Sequence, residues 1–286
     1  MSVLFDVRNL VFRYPKSKED ILKGISFTVE TGQIFGLLGP SGAGKSTTQK
    51  ILIKILNNYQ GEIFYRGKDL RTYDKSFYED IGVGFEMPVH FNKLTARENM
   101  KYFASFYQRH LDYVALMEKL NLADAIDMEV GQFSKGMKVR LNFVRAMLNN
   151  PRVLFLDEPT AGIDPANARI IKDLILDFKK RGGTVFITTH LMSDVEQLCD
   201  EVIFMTDGMV GKKAAPRDLK IQYGNRLVTV EYYDDAGLRR QQFDLKDLGH
   251  NRNFLDIISR YDIETIHSGE TSLEEIFIIV TGANNE

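Results

Sequence analysis

One cysteine, Cys199, is all that the 286 residues offer for thiol chemistry. An internal disulfide is excluded, and its setting, MSDVEQLCDEV, reads as a small residue on a helix with no further role. Long apolar runs are missing too: the best stretches, VLFL and VIFM, are strand-sized, far short of the roughly eighteen consecutive apolar residues that a membrane helix needs. No bilayer span is expected. Nor is there a charge imbalance, since 37 Lys and Arg face 39 Asp and Glu, so nothing draws the chain as a whole to nucleic acid or anionic lipid. Any anion binding must be local. The 7 prolines are scattered, and no self-similar period or low-complexity tract is visible. The opening MSVLFDVRNL has neither a basic n-region nor an apolar core, which gives the expectation of a cytoplasmic protein.

What the chain does have is an ordinary 44% hydrophobic content arranged in alternating strand and helix patterns. VLFDVRNLVFRY and GISFTVE predict strands joined by the turn YPKSKED, an antiparallel flap. QIFGLLG is an apolar run that stops at glycine, and KSTTQKILIKIL follows it with Ile51, Leu52, Ile55 and Leu56 at helical spacing. TARENMKYFASFYQRH, LDYVALMEKLNLADAI and SKGMKVRLNFVRAMLNN predict three helices, a helical insert over about residues 87–150. RVLFLDEP and GTVFITTH are buried-type strands on either side of the helix DPANARIIKDLILDFKK, the βαβ rhythm of a parallel sheet. From about Gln222 the texture changes to RLVTVEYY, LRRQQFDLK and NFLDIISRYDIETI, which predicts a small α+β C-terminal module. The expected domains are residues 1–221 and 222–286.

The glycine loop carries the first strong chemical signal. GPSGAGKS, Gly39 to Ser46, fits G-x-x-x-x-G-K-[ST] after a strand and before a helix, the context in which that pattern binds nucleotide phosphates. The expected ATP-binding residues are Gly39, Ser41, Gly42, Ala43, Gly44, Lys45, Ser46 and Thr47. Backbone N–H groups of such a loop cradle phosphate, Lys45 reaches the β- and γ-phosphates, and the Ser46 hydroxyl ligates Mg²⁺. RVLFLDEP places Asp157 and Glu158 at a strand end, where ligands bind in open α/β sheets; Asp157 is assigned to the Mg²⁺ shell and Glu158 to the attacking water. Alone, such a pair is an ordinary solvated strand end, and the upstream loop reverses that reading. One βαβ unit later His190 is delivered to the same edge, able to meet a γ-phosphate or the water. FSKGMKVRL opens a helix behind Ser134 and Gly136, and its free N–H groups and positive dipole end are a ready anion site. The fold class is therefore α/β: a P-loop NTPase core with a mostly parallel sheet, an antiparallel β flap, a helical insert and the C-terminal module.

Together GPSGAGKST, FSKGMKVRL, VLFLDEPTAGIDP and TTH, in this order and up to about residue 215, resemble the nucleotide-binding subunit of an ATP-binding cassette (ABC) transporter. The resemblance implies a head-to-tail dimer, of this chain or with a homologous ATP-binding subunit, in which ATP and Mg²⁺ lie between the P-loop of one subunit and the signature sequence of the other. Ser134, Lys135 and Gly136 would then serve the partner's ATP, and Asp164 would sit in the loop that crosses the interface. As Asp before Pro165, Asp164 is equally a good helix N-cap, and both roles are compatible. Tyr14 resembles the aromatic that stacks on adenine, against its plain reading as a strand tyrosine. Lys45, Glu158 and His190 form the implied hydrolytic set, with Ser46, Asp157 and Glu86 around the metal.

There are departures from the family pattern. Glu86 stands where the family often has glutamine, and FSKGM replaces the commonest LSGGQ, putting Lys135 and Met137 at a glycine and a glutamine position. The implied partner is an integral membrane permease met by the helical insert, the implied location the cytoplasmic face of the membrane, and no nucleic acid is expected. The C-terminal module, ending TSLEEIFIIVTG, resembles extensions of bacterial subunits that serve exporters of drugs, peptides or lipids. The alternative is a soluble ABC-type ATPase acting on ribosomes or DNA; those carry two cassettes or a long coiled coil, and this sequence has neither. A plain P-loop kinase leaves the signature unexplained.

Overall fold

The computed structural model describes residues 2–87, 89–211, 213–224 and 226–281. The chain forms two compact units, Met1–Ala215 and Pro216–Glu286.

In the first unit, β1 (Val3–Phe12) and β2 (Leu22–Glu30) pair antiparallel, with Val7 opposite Phe27. Strict alternation along β1 breaks at Asn9, which takes φ 51° and shifts the register between Val7 and Leu10. This bulge explains why the alternating buried set runs Phe5, Val7, then Leu10 and Phe12, with Leu4 buried in addition. After β3 (Ile34–Leu38) and the helix α1 (Lys45–Leu52), strands β4 (Gln60–Tyr65) and β5 (Lys68–Asp69) complete an antiparallel sheet of order β2-β1-β4-β5. The flap was legible as a strand pair; β4 and β5 carry no strong pattern and were not. α1 is shorter than its apolar spacing suggests. Lys54 turns left-handed at φ 60°, the N–H groups of Ile55 and Leu56 both return to the Lys50 carbonyl (2.9 and 3.1 Å), and Ile55 is left 53% exposed.

The central sheet adds β6 (Ile81–Gly84), β7 (Val153–Asp157), β8 (Thr184–Thr189), β9 (Glu201–Thr206) and β10 (Met209–Val210), in the order β10-β9-β3-β8-β7-β6. All neighbours are parallel except β10, which turns back on β9. Period-two alternation sends Phe35, Phe155 and Phe186 into the core shared with the antiparallel sheet, where Phe27 stacks on Phe35 at 5.6 Å. Their neighbours Ile34, Leu154, Leu156, Val185 and Ile187 enter a second core on the other face. A sheet buried on both sides explains why these strands read as continuous apolar runs.

That second face is covered by α5 (Lys135–Met147) and α6 (Pro165–Lys180), whose Leu141, Val144, Ile171 and Ile175 are buried. The short α2 (Phe77–Asp80) precedes β6. The insert holds α3 (Ala96–Ala104), started by a Thr95–Glu98 capping box, and α4 (Tyr113–Lys119), capped by Asp112. Both are shorter than their apolar patterns. After β8 comes α7 (Met192–Leu198).

The second unit begins with α8 (Pro216–Tyr223), so the sequence-based boundary at residue 221 falls inside a helix. Strands β11 (Arg226–Asp234), β12 (Gly237–Asp244) and β13 (Asp262–Glu270) form an antiparallel sheet of order β12-β11-β13. Val228, Val230 and Phe243 on one face pack against Phe254 and Ile257 of α9 (Arg252–Arg260), and α10 (Leu273–Thr281) follows. Residues 282–286 of the expected module lie outside the described residues. Among the described residues no helix is long and apolar enough to cross a membrane.

Candidate nucleotide-binding site

Strands β3, β8 and β7 are neighbours, so the loops leaving their carboxyl ends converge. The first is the glycine loop. Gly39 leaves β3 so close to β9 that a Cβ there would stand 2.0 Å from the Met205 carbonyl oxygen. Gly44 caps α1 at φ 110°, where a side chain would be strained and would meet Leu22 and Met205 at 2.8 Å. Lys45 folds back over the loop it ends: its Nζ donates to the Gly39 and Pro40 carbonyls at 2.7 and 3.0 Å. Burial pushes the Lys45 ammonium below the usual lysine range, opposed by the nearby carboxylates of Glu158, Asp157 and Glu86.

The second loop follows β7. Asp157 Oδ1 accepts from the Thr188 hydroxyl and lies 3.4 Å from the Ser46 hydroxyl. Glu158 is 9% exposed and sits in the left-handed region at φ 50°, strain of about 1–3 kcal/mol for a non-glycine residue. The surroundings hold it there. Its N–H donates to the Thr188 carbonyl at 2.9 Å, and its own carbonyl accepts from Ala161 N–H at 3.2 Å. Its carboxylate accepts from the Thr189 hydroxyl (2.9 Å), the His190 backbone N–H (3.0 Å) and His190 Nδ1 (2.7 Å). With Nδ1–H as donor, the Nε2 of a neutral His190 ring is the acceptor nitrogen on a side chain that is 62% exposed.

These groups line a cleft of about 620 Å³ with Tyr14, Ile21, Pro40, Ser41, Gly42, Gly44, Thr47 and Glu86. Tyr14, just past β1, stands edge-on to Phe12 at 4.9 Å with its hydroxyl 3.2 Å from that of Thr47. Ala43 belongs to the loop with its side chain buried, and Gly39 contributes through its carbonyl. A second cleft of about 700 Å³ opens at the opposite edge of the sheet, among Arg66, Arg152 and Arg181, and contains none of the expected site residues.

Ser134, Lys135, Gly136 and Asp164 do not line the P-loop cleft of their own chain. Ser134 is the N-cap of α5, its hydroxyl oxygen accepting from Met137 N–H at 3.2 Å. Lys135 runs across Gly162, where a Cβ would lie 2.9 Å from Nζ, and a Cβ on Gly136 would meet Ile163 at 3.4 Å. Asp164 caps α6, accepting from the backbone N–H and side-chain amide of Asn167 at 3.0 and 2.7 Å. Those bonds hold its carboxyl below the usual aspartate range.

Thr188 and Thr189 were missed from the sequence, although both are buried and carry the carboxylates of Asp157 and Glu158. The available signal was a pair of hydroxyls ending an otherwise apolar strand, directly before His190.

A phosphate loop between strand and helix, with two carboxylates and a histidine on the adjoining strand ends, makes the class of the protein a P-loop nucleoside triphosphatase. The ABC transporter family model matches residues 22–161. A second, described as the fluoroquinolone efflux ABC transporter C-terminal domain, matches residues 226–270. The chain is 48% identical over 278 residues to a fluoroquinolones export ATP-binding protein of Mycobacterium tuberculosis, covering 96% of this chain and 92% of that relative. It is 35% identical over 240 residues to the Nod factor export ATP-binding protein I of Burkholderia orbicola, covering 82% and 78%. A solved ATP binding subunit of an ABC transporter matches with a TM-score of 0.70 at 27% identity, over 77% of this chain and 93% of that one. The chain therefore belongs to the ABC transporter family as an ATP-binding subunit, and the activity of that family is ATP hydrolysis that drives transport.

Proposed function

We propose that the chain is the MgATP-driven subunit of an exporter, working as a head-to-tail dimer at the cytoplasmic face of the membrane against a separate permease. The observation that carries the chemistry is the Glu158 carboxylate, held by Thr189 and His190 on the wall of the cleft that also contains Lys45 and Ser46. Lys45 exchanges its loop carbonyls for the β- and γ-phosphates, and Tyr14 takes the adenine face. Ser46, Asp157 and Glu86 form an all-oxygen donor set suited to Mg²⁺, which when bound supplies charge neutralisation at those phosphates. Glu158 accepts the proton of the attacking water, while His190 steadies the carboxylate through Nδ1. Ser134, Lys135 and Gly136, which do not line their own cleft, meet the terminal phosphate held by the partner, and Asp164 lies at the same interface.

Export is supported by the names of the relatives and by the match of the C-terminal unit. The same names favour a membrane partner over a ribosome or nucleic acid. A groove of about 350 Å³ among Ile55, Tyr78, Val89, Phe103 and Tyr107 offers the permease an apolar seat on the insert side.

Glu158→Gln tests the reading. It should lower kcat by about 10²–10⁴ while MgATP binding persists and the chain accumulates as a dimer by light scattering. A variant that hydrolyses at the normal rate and stays monomeric with MgATP removes Glu158 from this role.

A further inference from the structure

Asp194 lies outside the cleft, in the first turn of α7, yet it is only 5% exposed. One carboxylate oxygen accepts from the Thr160 hydroxyl, itself on a residue 6% exposed; the other pairs with Lys172 Nζ of α6 at 2.6 Å. Lys172 also donates to Gln197 Oε1 at 3.1 Å. Three chain segments are tied at one carboxylate. Thr160 sits in the turn between Glu158 and Asp164, where Ala161 N–H returns to Glu158 O and Ile163 N–H to Thr160 O. Asp194 N–H returns to Leu191 O, and Leu191 N–H donates to the Thr189 hydroxyl that also holds Glu158.

Apolar packing could join α7 to this turn without the desolvation that a buried ion pair incurs. What an apolar contact lacks is direction, whereas a carboxylate with two fixed donors admits one register. We infer that Asp194 is a positioning residue for hydrolysis: through Thr160 it locks the turn carrying Glu158 and Asp164 to the segment carrying His190, and so fixes the His190 to Glu158 contact. The inference rests on the roles proposed for those two residues.

The test uses the full chain, steady-state ATPase kinetics and four variants: Thr160→Val, Thr160→Ser, His190→Ala and the double Thr160→Val/His190→Ala. Thr160→Val exchanges the hydroxyl for a methyl group of similar size and leaves Lys172 paired with Asp194. It should lower kcat about tenfold with KM for ATP within about twofold, and Thr160→Ser should restore most of the rate. In the His190→Ala background, Thr160→Val should cost nothing more, because the contact it positions is already gone. The same factor lost in both backgrounds, a change in KM alone, or an unchanged kcat each overturns the role of Asp194. A normal rate for His190→Ala overturns the site reading instead. If Thr160→Val does not fold, Asp194→Leu with Lys172→Met, which removes acceptor and cation together, enters the same cycle under the same criteria.

Discussion

Replacing Lys45 by methionine keeps most of the length of the side chain and removes its charge. Without nucleotide two effects oppose each other: the bonds to Gly39 and Pro40 carbonyls are lost, and a buried ammonium no longer has to be desolvated. The unfolding midpoint should therefore move little. With nucleotide they do not cancel, since a hydrogen bond to a charged group contributes about 1.5–3 kcal/mol, or roughly 10- to 150-fold in affinity. At a concentration 100 times Kd, ligand stabilises the wild type by about 2.7 kcal/mol; at the same concentration the weakened variant retains about 0.3–1.3 kcal/mol. For a unit the size of Met1–Ala215 these correspond to upward midpoint shifts of roughly 5–11 °C and roughly 1–5 °C. Scanning calorimetry with Mg²⁺ and a non-hydrolysable ATP analogue reads both. A full shift in Lys45→Met would refute the assignment of Lys45 to the phosphates, and a large drop in midpoint without nucleotide would refute the balance argued for the empty loop.

Acid should weaken the fold through His90, whose pKa burial and the charge of Arg145 lower to about 4 from 6.5. The folded state favours the neutral ring, so this stability is present above pH 6.5 and is lost as pH falls toward 4, a change of up to about 3 kcal/mol. Denaturant titrations at several pH values should show that slope flattened in His90→Phe, and an identical slope would exclude His90 as its source. Tyr14→Ala should weaken ATP binding by about 1–3 kcal/mol in calorimetric titration, with Tyr14→Phe close to wild type despite losing its contact with Thr47. Equal affinity for the alanine variant would leave Tyr14 with its packing on Phe12 and its contact with Thr47.

The middle of the central sheet was legible because β3, β7 and β8 are buried on both faces, so most positions are apolar and the glycine loop and carboxylates punctuate them. The cleft followed from that, since residues ending neighbouring strands must meet. Helix ends were less legible. Ile55 and Leu56 continue the apolar spacing of α1, but the left-handed turn at Lys54 is a backbone event that no side chain there announces. Strand β4 pairs with β1 across a long stretch of sequence, and local pattern does not encode such pairings. In the site, Glu158 could be placed at the cleft from its position after Asp157. Its left-handed backbone could not, because a residue before proline ordinarily prefers extended conformations.

Ser134 and Asp164 each begin a helix with the same atoms that the dimer would present to its partner. Any survey of substitutions scored by growth or transport would therefore record one number for two losses, a frayed helix and a missing contact. Alanine is the least informative replacement at either position. Glycine is nearly as good an N-cap and has no side chain to offer a partner, so at Ser134 it isolates the contact; asparagine keeps the cap at Asp164 and removes the charge. Comparing each of these with alanine separates what the helix needs from what its neighbour reads.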